Sequence, residues 1–136
     1  MGTWDVGPFD SDSAADWCGH FHDAAPEQRP ELLRRTLEEV AGRTEYLDVD
    51  EAAEAMAAAA IVAAQHSGPP ITSPYAPDFL VKGGTVTLPE GTAALAVRAL
   101  DRIVGEESEW RELWEDAGAY PQASAVIMGL RGALVT

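Results

Sequence analysis

Apolar side chains recur along this chain at intervals of three and four, the spacing that lines them up on one side of an α-helix. Ala14, Trp17, Cys18 and Phe21 fall at i, i+3, i+4 and i+7, and Ser11 or Asp12 stands just ahead as a cap. Pro26 and Pro30 separate this first helix from a second, about Pro30 to Ala41, where Leu32, Leu33, Thr36, Leu37 and Val40 share a face and Gly42 supplies the stop. A third opens where Asp48 and Glu51 stand at capping-box spacing and ends near His66, with Gly68, Pro69 and Pro70 beyond. The fourth begins at Pro89 and Glu90, turns Leu95, Ala96, Ala99, Leu100 and Ile103 inward, and breaks at Gly105. Trp110, Leu113, Trp114 and Ala117 mark a fifth, with Glu109, Glu112, Glu115 and Asp116 on the opposite arc. Pro121 starts a sixth with Ala123, Val126, Ile127, Leu130 and Leu134 inside, and Gly129 and Gly132 read as points of close helix contact.

The third helix differs from the others. Nine of the fourteen residues from Glu51 to Ala64 are Ala, and from Ala55 onward no polar face interrupts the run. A helix that is apolar all round is buried, and small side chains let its neighbours approach closely, so this helix is expected at the centre of a bundle. The apolar run Ala55 to Ala64 is half of the roughly 20 residues a membrane span needs.

Two segments interrupt the helical pattern. Residues 67–88 contain four prolines, and a structureless loop of that length is uncommon in a compact domain. It is either functional or hides short strands: Phe79-Leu80-Val81 and Thr85-Val86-Thr87-Leu88, on either side of Lys82-Gly83-Gly84, have the spacing of a small hairpin. Tyr75, between Pro74 and Pro77, reads as a plug that seats the loop. The other segment is the N-terminus, where Trp4, Phe9 and Trp17 lie among four Asp and a Gly-Pro turn. Large aromatic surfaces tie a chain end down, and residues 1–10 are therefore expected to act as a structural latch. The expected fold is one all-α domain over residues 1–136, five or six helices with a Pro/Gly-rich loop between the third and fourth.

Charge narrows the partners. Nine Lys plus Arg against 23 Asp plus Glu give a net charge of −14. Nucleic acid and anionic membranes are thereby disfavoured, while a basic protein or a hard cation is attracted. The lone Cys18 forms no internal disulfide and no signal-peptide pattern opens the chain, which together point to a cytoplasm of the bacterial kind. Cys18 lies on the apolar stripe and reads as a core thiol.

Catalytic signatures are missing: there is no phosphate loop, dinucleotide turn, paired-Cys zinc motif, helical His-Glu metalloprotease pattern or nucleophile elbow, and no cofactor is expected. On the first helix Asp12, Asp16, His20 and Asp23 project within about an 80° arc at about 100° per residue, and Asp16 and His20 are one turn apart. Carboxylates and an imidazole so placed suit a divalent ion, and the same arc suits the wet face of an amphipathic helix. Between Glu106 and Asp116 there are six carboxylates and one Arg in eleven residues, a concentration that meets either solvent or a basic partner.

Gly2-Thr3-Trp4, Gly7-Pro8-Phe9, Asp12, Ala15 and Asp16, then Ala57-Ala58-Ala59, then Ser108-Glu109 with Glu112-Leu113-Trp114-Glu115, carry a likeness over most of the chain. The chain resembles the bacterial family called domain of unknown function 4259. The resemblance implies a small cytoplasmic helical protein and brings no known reaction with it. Members of that family often have Asn where this chain has Ser11, which preserves a capping side chain. They also tend to carry Glu where this chain has Ala60, so a carboxylate site built on Asp12 and Asp16 would lack a partner here.

The function expected from these features is that of a non-catalytic acidic interaction protein, one that masks a basic partner as a toxin-neutralising protein does, with Glu109, Glu112, Glu115 and Asp116 as the contact residues. The alternative is a metal-dependent hydrolase with Asp12, Asp16 and His20 as ligands and Glu109 or Glu112 as base, which requires the first and fifth helices to meet. A third reading is a subunit of a homo-oligomer.

Overall fold

Ser11 stands in extended backbone conformation and its Oγ accepts from the Ala14 amide at 3.1 Å, satisfying one of the orphan donors that open a helix. The helix it starts is α1, Asp12–Asp23, in a computed structural model that describes residues 5–66 and 71–135. Ala14, Trp17, Cys18 and Phe21 are all buried, as their spacing predicts. A 3₁₀ turn, Pro26–Gln28, leads into α2, Arg29–Ala41. Arg29 fixes the angle between the two helices: its Nε donates to the Phe21 carbonyl at 3.2 Å, its Nη2 to that of His22 at 2.7 Å, and its guanidinium lies 3.9 Å from the Phe79 ring centre.

The Ala-rich segment forms α3, Val49–His66. Asp48 caps it by accepting from the Glu51 amide at 2.8 Å. The reciprocal half of a capping box is not used, because the Glu51 carboxylate turns to pair with Arg43. Every residue from Ala55 to Ala63 is buried, and α3 touches α1 and α2 as well as the three longer helices that follow it in the chain. Those are α5, Thr92–Ile103, α6, Glu109–Asp116, and α7, Tyr120–Leu134. The described residues thus hold seven α-helices and no strand, a single all-α domain.

Residues 79–88 do not form a hairpin. Asp78–Val81 makes one helical turn, α4, held by the ion pair of Lys82 with Asp78 at 3.0 Å and closed by the Gly84 amide on the Phe79 carbonyl at 2.7 Å. A Cβ at Gly84 would lie 2.6 Å from that carbonyl oxygen, so this glycine serves a close approach of backbone to backbone rather than a strand-linking turn. Beyond it the Val86 amide finds its acceptor in the side chain of Gln65 on α3, at 3.1 Å, and needs no partner strand. The helix expected from Pro89 starts later, at Thr92, because Gly91 adopts a left-handed φ of 88° that interrupts the helix before it can begin.

Tyr75, read as a plug, is 48% exposed. Two other expectations are corrected. Ala117 lies outside on the rim of α6. Gly129 and Gly132 both face solvent, where an added Cβ meets nothing within 4 Å. Around the N-terminus, Phe9 and Trp17 are in the core, Trp17 stacking on Phe21 at 5.1 Å and donating through Nε1 to Thr36 Oγ1 at 3.0 Å. Trp4 lies outside the described residues.

Ala57, Ala58 and Ala59 on α3 are fully buried among the neighbouring helices. Ala59→Leu should destabilise the fold by about 1–3 kcal/mol through overpacking, whereas Gly19→Ala should stabilise it by about 0.5–1 kcal/mol, since position 19 is exposed within α1 and its new Cβ meets nothing. Thermal unfolding of the two variants, moving in opposite directions from the parent, checks both.

Candidate functional site

Two loops at one end of the bundle are laid edge to edge. The Leu47 amide donates to the Glu107 carbonyl at 2.8 Å and the Glu109 amide to the Leu47 carbonyl at 2.9 Å, a single parallel bridge between the α2–α3 connection and the α5–α6 connection. Leu47 is fully buried beneath it. Arg102, near the end of α5, binds both loops at once: it donates to the carbonyls of Arg43 at 2.9 Å, Glu45 at 2.7 Å, Glu106 at 2.8 Å and Glu107 at 3.2 Å. The planar guanidinium supplies donors in a fixed fork, which is what converging on several carbonyls requires.

Ser108 is the hinge from this turn into α6. Its buried hydroxyl donates to the Ile103 carbonyl at 2.6 Å and accepts from the Arg111 amide at 3.4 Å, capping the helix. Glu107, with a left-handed φ of 56°, directs the chain into that cap. Trp110 follows and is buried, its ring edge-on to Trp114 at 6.5 Å and to Tyr120 at 6.3 Å.

The four carboxylates predicted as contact residues are therefore not equivalent. Glu109 is half-buried and turned inward, its Oε1 accepting from the Val49 amide at 2.8 Å at the N-terminus of α3. Glu112 is exposed and accepts from the Tyr46 hydroxyl at 2.7 Å. Glu115 is exposed and stands 3.4 Å from Arg111, whose own Nη1 donates to the Val104 carbonyl. Asp116 is exposed at the end of the helix. Around them the loops add Glu45, Asp48, Glu106 and Glu107, all exposed. In their midst Tyr46 is 46% exposed, its ring held in place through the hydroxyl by Glu112 across 66 positions of sequence.

Tyr46 and Arg102 carry no periodic or motif signal, and nothing in the sequence pattern singles them out. The hydrogen bond to Glu112 first, then burial that disfavours the phenolate and repulsion from Glu112, Glu109 and Glu107, push the Tyr46 phenol up to about 12. A neutral phenol is the form that donates to Glu112, so the contact is complete below the ordinary value of about 10 and is lost as pH rises through about 12.

Asp12, Asp16 and His20 are exposed on the outer face of α1. Among the described residues no three His, Cys, Asp or Glu side chains come together in a way that could hold a metal ion. Glu109 and Glu112 point to the 46–49 segment, as their hydrogen bonds show, and not to an α1 ligand set. Near the start of α3, Ser13 Oγ donates to Asp50 at 2.7 Å. One turn further on, burial, and then repulsion from Asp50, Glu39 and Asp48, raise the carboxyl of Glu54. Burial pushes the Cys18 thiol up to about 12, the state of an unreactive core residue. At the other side of the bundle an apolar cavity of about 220 Å³ opens between Phe9, Ala60, Ala63, Ile71 and Leu130. No described helix is long and apolar enough to cross a membrane.

The family model for the domain of unknown function DUF4259 matches residues 2–125. The chain belongs to the DUF4259 family. No curated protein and no solved structure matches it. In this DUF4259 chain the matched region takes in the capped start of α1, the alanine rod of α3 and the whole of α6, while the last turns of α7 lie beyond it.

Replacing Glu112 with Gln should return the Tyr46 phenol toward its ordinary value of about 10 without changing the fold. Titration of the tyrosine ring signals by NMR checks this; a Tyr46 transition unmoved by the substitution would mean that Glu112 does not set it.

Proposed function

We propose that this protein is a non-catalytic, acidic binding protein of the cytoplasm that docks a basic protein through the α6 end of the bundle. The observation that carries the reading is the company Tyr46 keeps: a half-exposed aromatic ring, braced at its hydroxyl, among exposed Glu45, Asp48, Glu106, Glu107, Glu112, Glu115 and Asp116. Aromatic side chains are favoured anchors at interfaces because they bring large contact area at little rotamer cost, and surrounding charge of one sign steers an oppositely charged partner. A net charge of −14 adds long-range attraction for the same class of partner.

Within this reading the contact set differs from the four carboxylates of the α6 arc. Glu112, Glu115 and Asp116 face the partner, Tyr46 anchors it, and Glu109 works from behind by holding the start of α3. The carboxylates on the outer face of α1 stay in solvent.

The test is capture of partners from lysate of the native host on the immobilised protein. The triple variant Glu112→Lys, Glu115→Lys, Asp116→Lys is compared with Asp12→Lys, Asp16→Lys, which changes charge on the exposed face of α1. A basic partner retained at low salt, released as salt rises, and lost with the triple variant but not with the double one is the expected outcome. Recovery of no basic protein at low salt, or equal loss with both variants, contradicts the proposal.

A further inference from the structure

The side of α7 turned away from the bundle is apolar and exposed. Pro121, Ala125, Met128, Gly132 and Val135 are all exposed there, and they recur at four, three, four and three residues, the spacing of a seam between two helices. Met128 at 58% and Val135 at 61% are the most exposed large hydrophobic side chains among the described residues. Glycine is a poor helix former, yet Gly129 and Gly132 sit within this helix with nothing inside the chain requiring a missing Cβ.

We propose that this face is a self-association surface, covered by α7 of a second copy running antiparallel. Two observations select a second copy. First, the face is complementary to itself: an antiparallel pairing centred at position 130 sets Met128 against the partner's Gly132 and Val135 against the partner's Ala125, large against small at each of these contacts. A two-fold axis makes each such contact twice. Second, α7 is the one helix of the seven with no Asp or Glu. In a chain of net charge −14 it offers a surface on which two copies meet without opposing carboxylates, and the basic side chain on its flank, Arg131, is already held by Asp101 at 2.9 Å.

Size sets the strength. Fifteen residues make a helix about 22 Å long, and one helix face buries less than the roughly 800 Å² per partner of a standard stable interface, so the dimer is a concentration-dependent one. This proposal stands apart from the docking of a basic partner, which uses Tyr46 and the exposed carboxylates around it rather than the outer face of α7.

Sedimentation equilibrium of the full chain tests it. The mass is expected to rise from 14.5 kDa toward twice that value as concentration increases from about 10 µM to about 1 mM, and to rise more readily in higher salt, which screens repulsion between the two acidic bodies. Met128→Glu should leave a monomer throughout. Gly132→Leu should do so as well while keeping or raising the thermal midpoint, because leucine is the better helix former and its Cβ there meets nothing within 4 Å. A monomer at every concentration and salt, or a dimer that both variants leave intact, overturns the proposal.

Discussion

The fold depends on how closely helices can approach α3. Its Ala side chains between positions 55 and 63 present almost no bulk, so α1, α2, α5 and α7 can each lie near its axis and cover it on every side. Interiors are packed to the density of organic crystals, and at the fully buried Ala57, Ala58 and Ala59 an added methyl must displace a neighbour. Larger residues come from α3 at Met56, Ile61 and Val62 and otherwise from the surrounding helices: Phe21 from α1, Leu33 and Leu37 from α2, Leu100 and Ile103 from α5, Ile127 from α7. Hydrophobic volume is thus placed mainly in a shell around a thin rod, and the rod sets the spacing of the shell.

The same helix organises the electrostatics of one end of the molecule. Asp48, Asp50, Glu51 and Glu109 gather at the N-terminus of α3, where unpaired amides and the helix dipole favour negative charge. Glu109 belongs to a different helix and reaches this position only because Arg102 and the Leu47–Ser108 bridge bind the two loops together. Part of what reads along the sequence as a surface charge run is consequently an internal cap, and the remainder, from Glu112 to Asp116, is displayed at a fixed angle beside Tyr46.

Helical periodicity makes most of this architecture legible in the sequence. The stripes Ala14–Trp17–Cys18–Phe21 and Leu95–Ala96–Ala99–Leu100–Ile103 are buried throughout, and the Ala run announces its own central position. Local signals fail where a contact is made at long range. The segment around Phe79 has the spacing of a small hairpin but folds as a helical turn, with Phe79 stacked on Phe21 and under the guanidinium of Arg29. Gly129 and Gly132 resemble packing glycines, yet the buried side of α7 is the one bearing Ala123, Ile127 and Leu134. The residues that assemble the acidic end, Arg102 and Tyr46, act on carbonyls and carboxylates up to 66 positions away, and no spacing rule reports that.

Native-state hydrogen exchange tests the central role of α3 most directly. If the other helices are held by their packing on this rod, the amides of residues 55–63 exchange only through global unfolding and are the most protected in the chain, while α4 and the outer turns of α6 and α7 open at lower cost. Exchange of those α3 amides through local opening, while α1, α2 and α5 stay protected, would contradict this account.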